Sequence, residues 1–233
     1  PSVSTVVDGV ALARSIEFSS DLGDIERIEV IAGPQGTLFG RNSIGGALNI
    51  VRKGPSEEFA AEVEVAVTDD NETATKAMIN GALSDNVQGR LNLFFKDRDG
   101  HIKNLNSSQG DAGGEESRGI MAKLNFDFTD DLSVLFSFDY VDTQTGGNPL
   151  VTFALDTLYP GAQARLVALG DGDAAKGQQV LNDPFTINAN TPHFTDYTQT
   201  GFVADVTWQL NESWQMKSIS AYRASDQAFN QDI

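Results

Sequence analysis

The sequence predicts a mainly β chain: a fragment of a large antiparallel transmembrane β-barrel, preceded by part of a small α/β domain. Three observations predict it. Apolar and polar residues alternate over long runs from Phe59 onward, tight polar turns alternate with long loops, and a glycine cluster precedes Pro55. Alternation with a period of two is the mark of a strand with one apolar face.

Residues 1–55 differ in texture from the rest. Short β-branched runs at Val6-Val7 and from Ile25 to Ile31 are separated by Gly- and Asp-rich turns. Gly33, Gly36, Gly40, Gly45 and Gly46 then form a hub, with one helical turn expected over Pro34 to Phe39 because proline suits a helix start. Ala47 to Val51 reads as a further strand, stopped by Lys53-Gly54-Pro55.

Residues 56–233 read as about seven long strands. Val63, Val65 and Val67 oppose Glu62 and Glu64. Val87, Leu91, Leu93 and Phe95 alternate with Gln88, Arg90 and Asn92, a pattern interrupted by Phe94. It returns in Ile120 to Phe128, in Leu132 to Tyr140 and in Phe202 to Leu210, more weakly in Thr73 to Leu83 and Trp214 to Tyr222. Ser84-Asp85-Asn86, Thr129-Asp130-Asp131 and Asn211-Glu212-Ser213 are tight turns, whereas Asp97–Ser117 and Thr143–Asp196 are long connections. A membrane barrel, with its short turns on one side and its long loops on the other, has this alternation. Aromatics at Phe94-Phe95, Tyr140, Trp208, Trp214 and Tyr222 stand near strand ends, as interface girdles do. The competing architecture is a soluble or surface-exposed β-sheet domain for binding or adhesion, whose apolar face would lie in a dry two-layer core.

Composition narrows the function. Among the 233 residues, Asp and Glu outnumber Lys and Arg by 33 to 16, which disfavours nucleic acid as a partner. Cysteine is absent, and His101 and His193 are the only histidines, both in long connections without metal-ligand spacing. Ser43 lacks the glycine two positions before it that a nucleophile elbow needs, and Gly33 to Gly46 lack the end of a phosphate loop. The Asp69-Asp70 and Asp171 to Asp173 runs lack the ligand ladder of a calcium loop. No catalytic, cofactor-binding or metal-binding residue is therefore assigned, and the expectation is a protein that is not an enzyme. Pro1 to Ser4 has neither a charged nor an apolar leader region, and no apolar run reaches the roughly 18 residues of a membrane helix.

The run from Asp24 to Val51, which includes Ile25-Glu26-Arg27-Ile28-Glu29-Val30, Gly33-Pro34-Gln35-Gly36-Thr37-Leu38-Phe39-Gly40-Arg41-Asn42 and Gly45-Gly46-Ala47-Leu48-Asn49-Ile50, resembles the plug of TonB-dependent outer-membrane receptors. Val7-Asp8-Gly9-Val10 is similar to an earlier plug strand and turn, and Ser218 to Arg223 to an early barrel strand. Ala32 and Phe39 depart from the family's usual Arg and Tyr.

The resemblance implies that residues 1–55 are the C-terminal part of a plug domain and 56–233 the N-terminal part of a barrel of about 22 strands. It implies Arg27, Gly33, Pro34, Gln35, Gly36, Gly40, Arg41, Asn42, Gly45 and Gly46 as plug-motif residues with a structural or gating role. It also implies import of a scarce nutrient, most often an iron-siderophore complex, with binding at loops 97–117 and 143–196. The partners it implies are outer-membrane lipid, a small-molecule ligand such as a metal chelate, and a TonB-type energy-transducing protein reached through an N-terminal segment outside this chain. Arg27 and Arg41 would either pair with lumenal carboxylates such as Asp127, Asp139 and Asp205 or lie solvated at the plug surface. Ala162 to Leu169 is expected to form a short helix.

Overall fold

Alternating residues put every second side chain on one face of a strand, so runs as long as these generate two chemically distinct faces wherever the strands pair. The computed structural model describes residues 3–12, 24–34, 36, 43–69, 71–106, 108, 110–146, 167–170, 172–183, 185–191 and 193–230. Two main sheets form. β1 (Val3–Val7), β2 (Val10–Ala11), β3 (Ile25–Ala32) and β4 (Gly46–Arg52) make a four-stranded sheet of order β2-β1-β4-β3, in which β1 and β4 run parallel.

The second sheet has seven strands, all antiparallel to their neighbours: β5 (Ala60–Val67), β6 (Thr73–Ser84), β7 (Val87–Arg98), β9 (Glu115–Thr129), β10 (Leu132–Thr145), β12 (Phe194–Asn211) and β13 (Trp214–Asn230). Apart from the small intervening β8 and β11, neighbours follow in chain order, and β5 and β13 are the two edges of an open sheet among the described residues. With 15, 14, 18 and 17 residues, β9, β10, β12 and β13 exceed the roughly 9–11 residues that cross a bilayer.

Register turns the alternation into rows. Leu91, Ala122, Phe138, Phe202 and Tyr222 stand side by side across five strands on one face. The next row contains Leu124, Phe136 and Ala204. Phe138 packs against Phe202 at 4.9 Å between ring centroids, yet Phe136 is 47% and Phe202 52% exposed. Among the described residues no second layer covers this face, so the apolar rows are not the inner surface of a dry sandwich. Outward apolar rows on an antiparallel sheet are what hydrocarbon contact requires.

The polar rows occupy the opposite face, where the four-stranded sheet lies. Phe94 belongs to this side: it is buried with Met121 and Val141, so it is no part of an outward girdle. Its ring covers Gly119, where a side chain would collide with it. Phe95, Tyr140, Trp208 and Tyr222 do face outward.

The ladders also continue further than the apolar pattern. Residues 143–145 and 194–196 are paired strand, as are 97–98 and 115–117, because ladder hydrogen bonds need only backbone. The remaining connections contain β8 (Lys103–Asn104), α1 (Ala174–Asn182) and β11 (Thr186–Ile187). Residues 167–169 are helical, whereas the first part of the helix expected over Ala162 to Leu169 lies outside the described residues. Gly36 is helical, and the rest of the turn expected from Thr37 to Phe39 also lies outside them.

Candidate functional site

The two sheets meet through charged side chains. Asp8 and Gly9 form a two-residue hairpin between β1 and β2 with φ of 48° and 79°. Positive φ at both positions is the geometry of a type I′ turn, which Asp-Gly suits. A side chain at Gly9 would come within 2.7 Å of Ile219 Cδ1, so the glycine also lets the hairpin approach β13.

From this turn Asp8 reaches Arg52, the last residue of β4. Its carboxylate accepts the Arg52 backbone N–H at 2.9 Å and the Arg52 Nε–H at 2.8 Å. Lys123 of β9 approaches the same carboxylate at 3.1 Å and donates to the Arg52 carbonyl at 3.0 Å. Arg52 Nη2 continues to Asp139 of β10 at 3.3 Å. Asp139 also accepts from Gln199 of β12 at 3.1 Å and from Arg223 of β13 at 3.1 and 3.3 Å. Asp139 is only 2% exposed and Arg52 8%, so the chain of charges is shielded from water.

Burial pushes the Asp8 carboxyl up, but the charges of Arg52 and Lys123, with the hydrogen bonds from Arg52, outweigh it and hold the group below its ordinary value. A second junction lies beside the first. Asp24, just ahead of β3, pairs with Arg90 of β7 and with Lys53 at 3.0 Å. The connection after β4 is pinned as well: Asn80 of β6 accepts from Ser56 N–H at 3.1 Å and donates to Ser56 Oγ at 2.8 Å and the Glu58 carbonyl at 2.7 Å. Chemically the arrangement is a clasp: it can hold or release one sheet against the other, and it presents no nucleophile–base pair.

Of the motif residues picked out in the sequence, Arg27 is exposed on β3 and pairs with Glu26 at 2.6 Å and Glu29 at 2.7 Å of its own strand. It does not meet Asp127, Asp139 or Asp205; Arg52 takes the lumenal carboxylate in its place. Gly33 and Pro34 follow β3, with the Gly33 N–H bonded to the Gly45 carbonyl at 3.2 Å. Gly46 opens β4 at φ 146°, where a side chain would strike the Ile31 carbonyl. Gly36 is described, whereas Gln35, Gly40, Arg41 and Asn42 lie outside the described residues.

The sequence reading missed Asp8, Asp24, Arg52, Lys123 and Arg223 as a group. A signal existed for part of it: Lys123 and Asp139 sit at polar positions of alternating runs and must face away from the apolar rows. Among the described residues no cluster of three or more His, Asp or Glu side chains could hold a metal ion.

An open antiparallel wall with an apolar outer face, and a small mixed sheet clasped to its polar side, are the features of a fragment of a plugged membrane β-barrel. Comparisons agree with that class. Residues 1–47 match the model of the TonB-dependent receptor plug domain. The pesticin receptor of Yersinia enterocolitica is 30% identical over 115 residues, covering 49% of this chain and 17% of that protein. The ferripyoverdine receptor of Pseudomonas aeruginosa is 27% identical over 149 residues, 60% of this chain and 17% of its own length.

The crystal structure of the ferric yersiniabactin uptake receptor from Yersinia pestis superposes with a TM-score of 0.78 at 20% identity, covering 98% of this chain and 33% of that one. The ferric-catecholate import receptor from E. coli K12 gives 0.73 at 17% identity, 97% of this chain and 32% of that one. Residues 1–47 thus carry a plug domain of the TonB-dependent receptor type, and the chain as a whole has the fold of the plug and adjoining barrel wall of such receptors. It spans 17% of the length of each of the two receptors compared by sequence.

Proposed function

We propose that the chain is part of an outer-membrane receptor that imports a scarce nutrient, with ferric siderophore complexes as the ligand class. The observation that carries the reading is the clasp of Asp8, Arg52, Lys123 and Asp139, which closes a plug sheet against the inner face of an antiparallel wall. Residues 1–55 then form the C-terminal part of the plug and 56–233 the start of the barrel. The glycines and arginines of the plug motif, from Arg27 to Gly46, shape and gate it.

Ligand binds at the loops 99–114 and 146–193 and at the plug apex, and transport follows when the plug is rearranged. A TonB-type protein drives that step through a segment N-terminal to this chain, while lipid covers the outward rows around Phe138 and Phe202. Several relatives support the ligand class, being ferripyoverdine and ferric yersiniabactin receptors by name, although a vitamin B12 transporter of Vibrio vulnificus is 26% identical over 137 residues. The test is uptake of radiolabelled ferric siderophores and, in parallel, of radiolabelled cobalamin by cells whose other receptors for these ligands have been deleted. The full-length receptor should restore TonB-dependent uptake of a ferric siderophore; restoration with cobalamin alone would reassign the ligand.

A further inference from the structure

The two long connections on the loop side do not stand apart. β8, from the connection between β7 and β9, pairs in parallel with β11, from the connection between β10 and β12. Lys103 N–H donates to the Phe185 carbonyl at 2.8 Å and Leu105 N–H to the Ile187 carbonyl at 2.9 Å. Asn104 closes the junction with its side chain, donating to the Ala189 carbonyl at 3.2 Å and accepting from the Ala189 N–H at 3.1 Å. Its own backbone N–H is held by Asp111 at 2.8 Å.

Below this seam Ile102 and Ala112 from one loop pack with Ile187 and Ala189 from the other, each 8% exposed or less. Each loop is braced internally too. Ile102 and Ala112 exchange backbone hydrogen bonds at 2.8 and 3.0 Å, and Asp183, which caps α1, accepts from Phe185 N–H at 2.9 Å and Thr186 Oγ1 at 2.7 Å.

We infer that the described parts of these two loops around the seam, residues 101–106 with 110–112 and residue 183 with 185–191, are one folded body closed by Asn104, and that they open and close together. The physical reason is satisfaction of buried polar groups. Asn104 is 8% and Thr186 2% exposed, so parting the loops would break the paired Asn104–Ala189 hydrogen bonds and the short ladder at once and expose the four apolar side chains together. One loop displaced by a ligand therefore carries the other with it. This rests on loop contacts alone and stands or falls independently of the ligand class.

Hydrogen–deuterium exchange of the full-length receptor in detergent tests it from both sides. Asn104→Leu places its substitution in the first loop and Ile187→Asp in the second. Each should speed exchange about tenfold in both 102–105 and 185–189 while leaving the β10 ladder protected. If Ile187→Asp also loosens β10, Ile187→Ala is read in its place. Faster exchange confined to the loop that carries the substitution, in either variant, would overturn the inference.

Discussion

Arg52 and Asp139 stand 87 positions apart in the chain and 3.3 Å apart in space, joined by an Nη2–Oδ1 hydrogen bond inside the sheet-to-sheet interface. The pair matters because neither charge has water to fall back on. Arg52 is balanced on one side by Asp8 and on the other by Asp139, and Asp139 is balanced in turn by Arg223. Removing one member of such a set leaves its neighbour charged and buried, which is costlier than never having built the pair.

Arg52→Met should therefore destabilise the docked plug by about 3 kcal/mol, since it takes one counter-charge from each of Asp8 and Asp139 and leaves them Lys123 and Arg223. Limited proteolysis of the full-length receptor should cut the plug faster in this variant. In a double-mutant cycle with Asp139→Asn the two losses should fall well short of adding. Additive losses would mean that the two residues act separately.

The clasp has a definite pH dependence. Asp8 is held below its ordinary value near 3.8, so its folded state binds a proton less readily than its unfolded state. The stabilisation it supplies is fully present above that ordinary value and is lost as pH falls through the lowered one. Plug protection against exchange should stay level through neutral and mildly acidic buffers and fall only in strong acid. Asp8→Asn should remove that acid step.

Gly9 combines a left-handed backbone with the approach of Ile219. Gly9→Ala should cost about 1–2 kcal/mol, partly from φ strain and partly from the contact. Adding Ile219→Ala should recover the contact part alone, visible as partial restoration of the melting temperature.

On the outward face, Phe138→Arg in the full-length receptor should lower stability by up to about 2–4 kcal/mol, the range for a charge turned toward hydrocarbon on a barrel. The readout is folding into lipid vesicles, followed by the gel shift between folded and heat-denatured barrel. Phe138→Leu should fold almost normally.

Arg27→Ala, by contrast, should leave melting and plug proteolysis unchanged. Its partners Glu26 and Glu29 lie beside it on an exposed strand, where water screens the pairs. A loss comparable with that of Arg52→Met would give Arg27 a partner outside this chain.

Much of the wall was legible in the sequence because strand geometry is local. Side chains alternate faces with a fixed period, so Phe136, Phe138 and Tyr140 had to oppose Ser137 and Asp139 whatever surrounds them. Phe94 defeated the pattern, since hydrophobicity alone does not tell an apolar patch turned inward from a ring in a girdle. The glycine-rich run led to the plug motif by resemblance, yet the residues that hold the described plug sheet to the wall lie outside its most recognisable part.

By itself the sequence determined which face most strand residues take, where the chain makes its tight turns, and which family its plug run resembles. Tertiary structure alone decided that Arg52, not Arg27, meets Asp139, and that Asn104 meets Ala189 across 85 positions. The physical reason is that periodicity specifies a direction along one strand, whereas a contact partner depends on register and on how one sheet is laid against another. Those choices are made by the sum of ladder bonds, packing and charge balance across the molecule, and no window of neighbouring residues contains them.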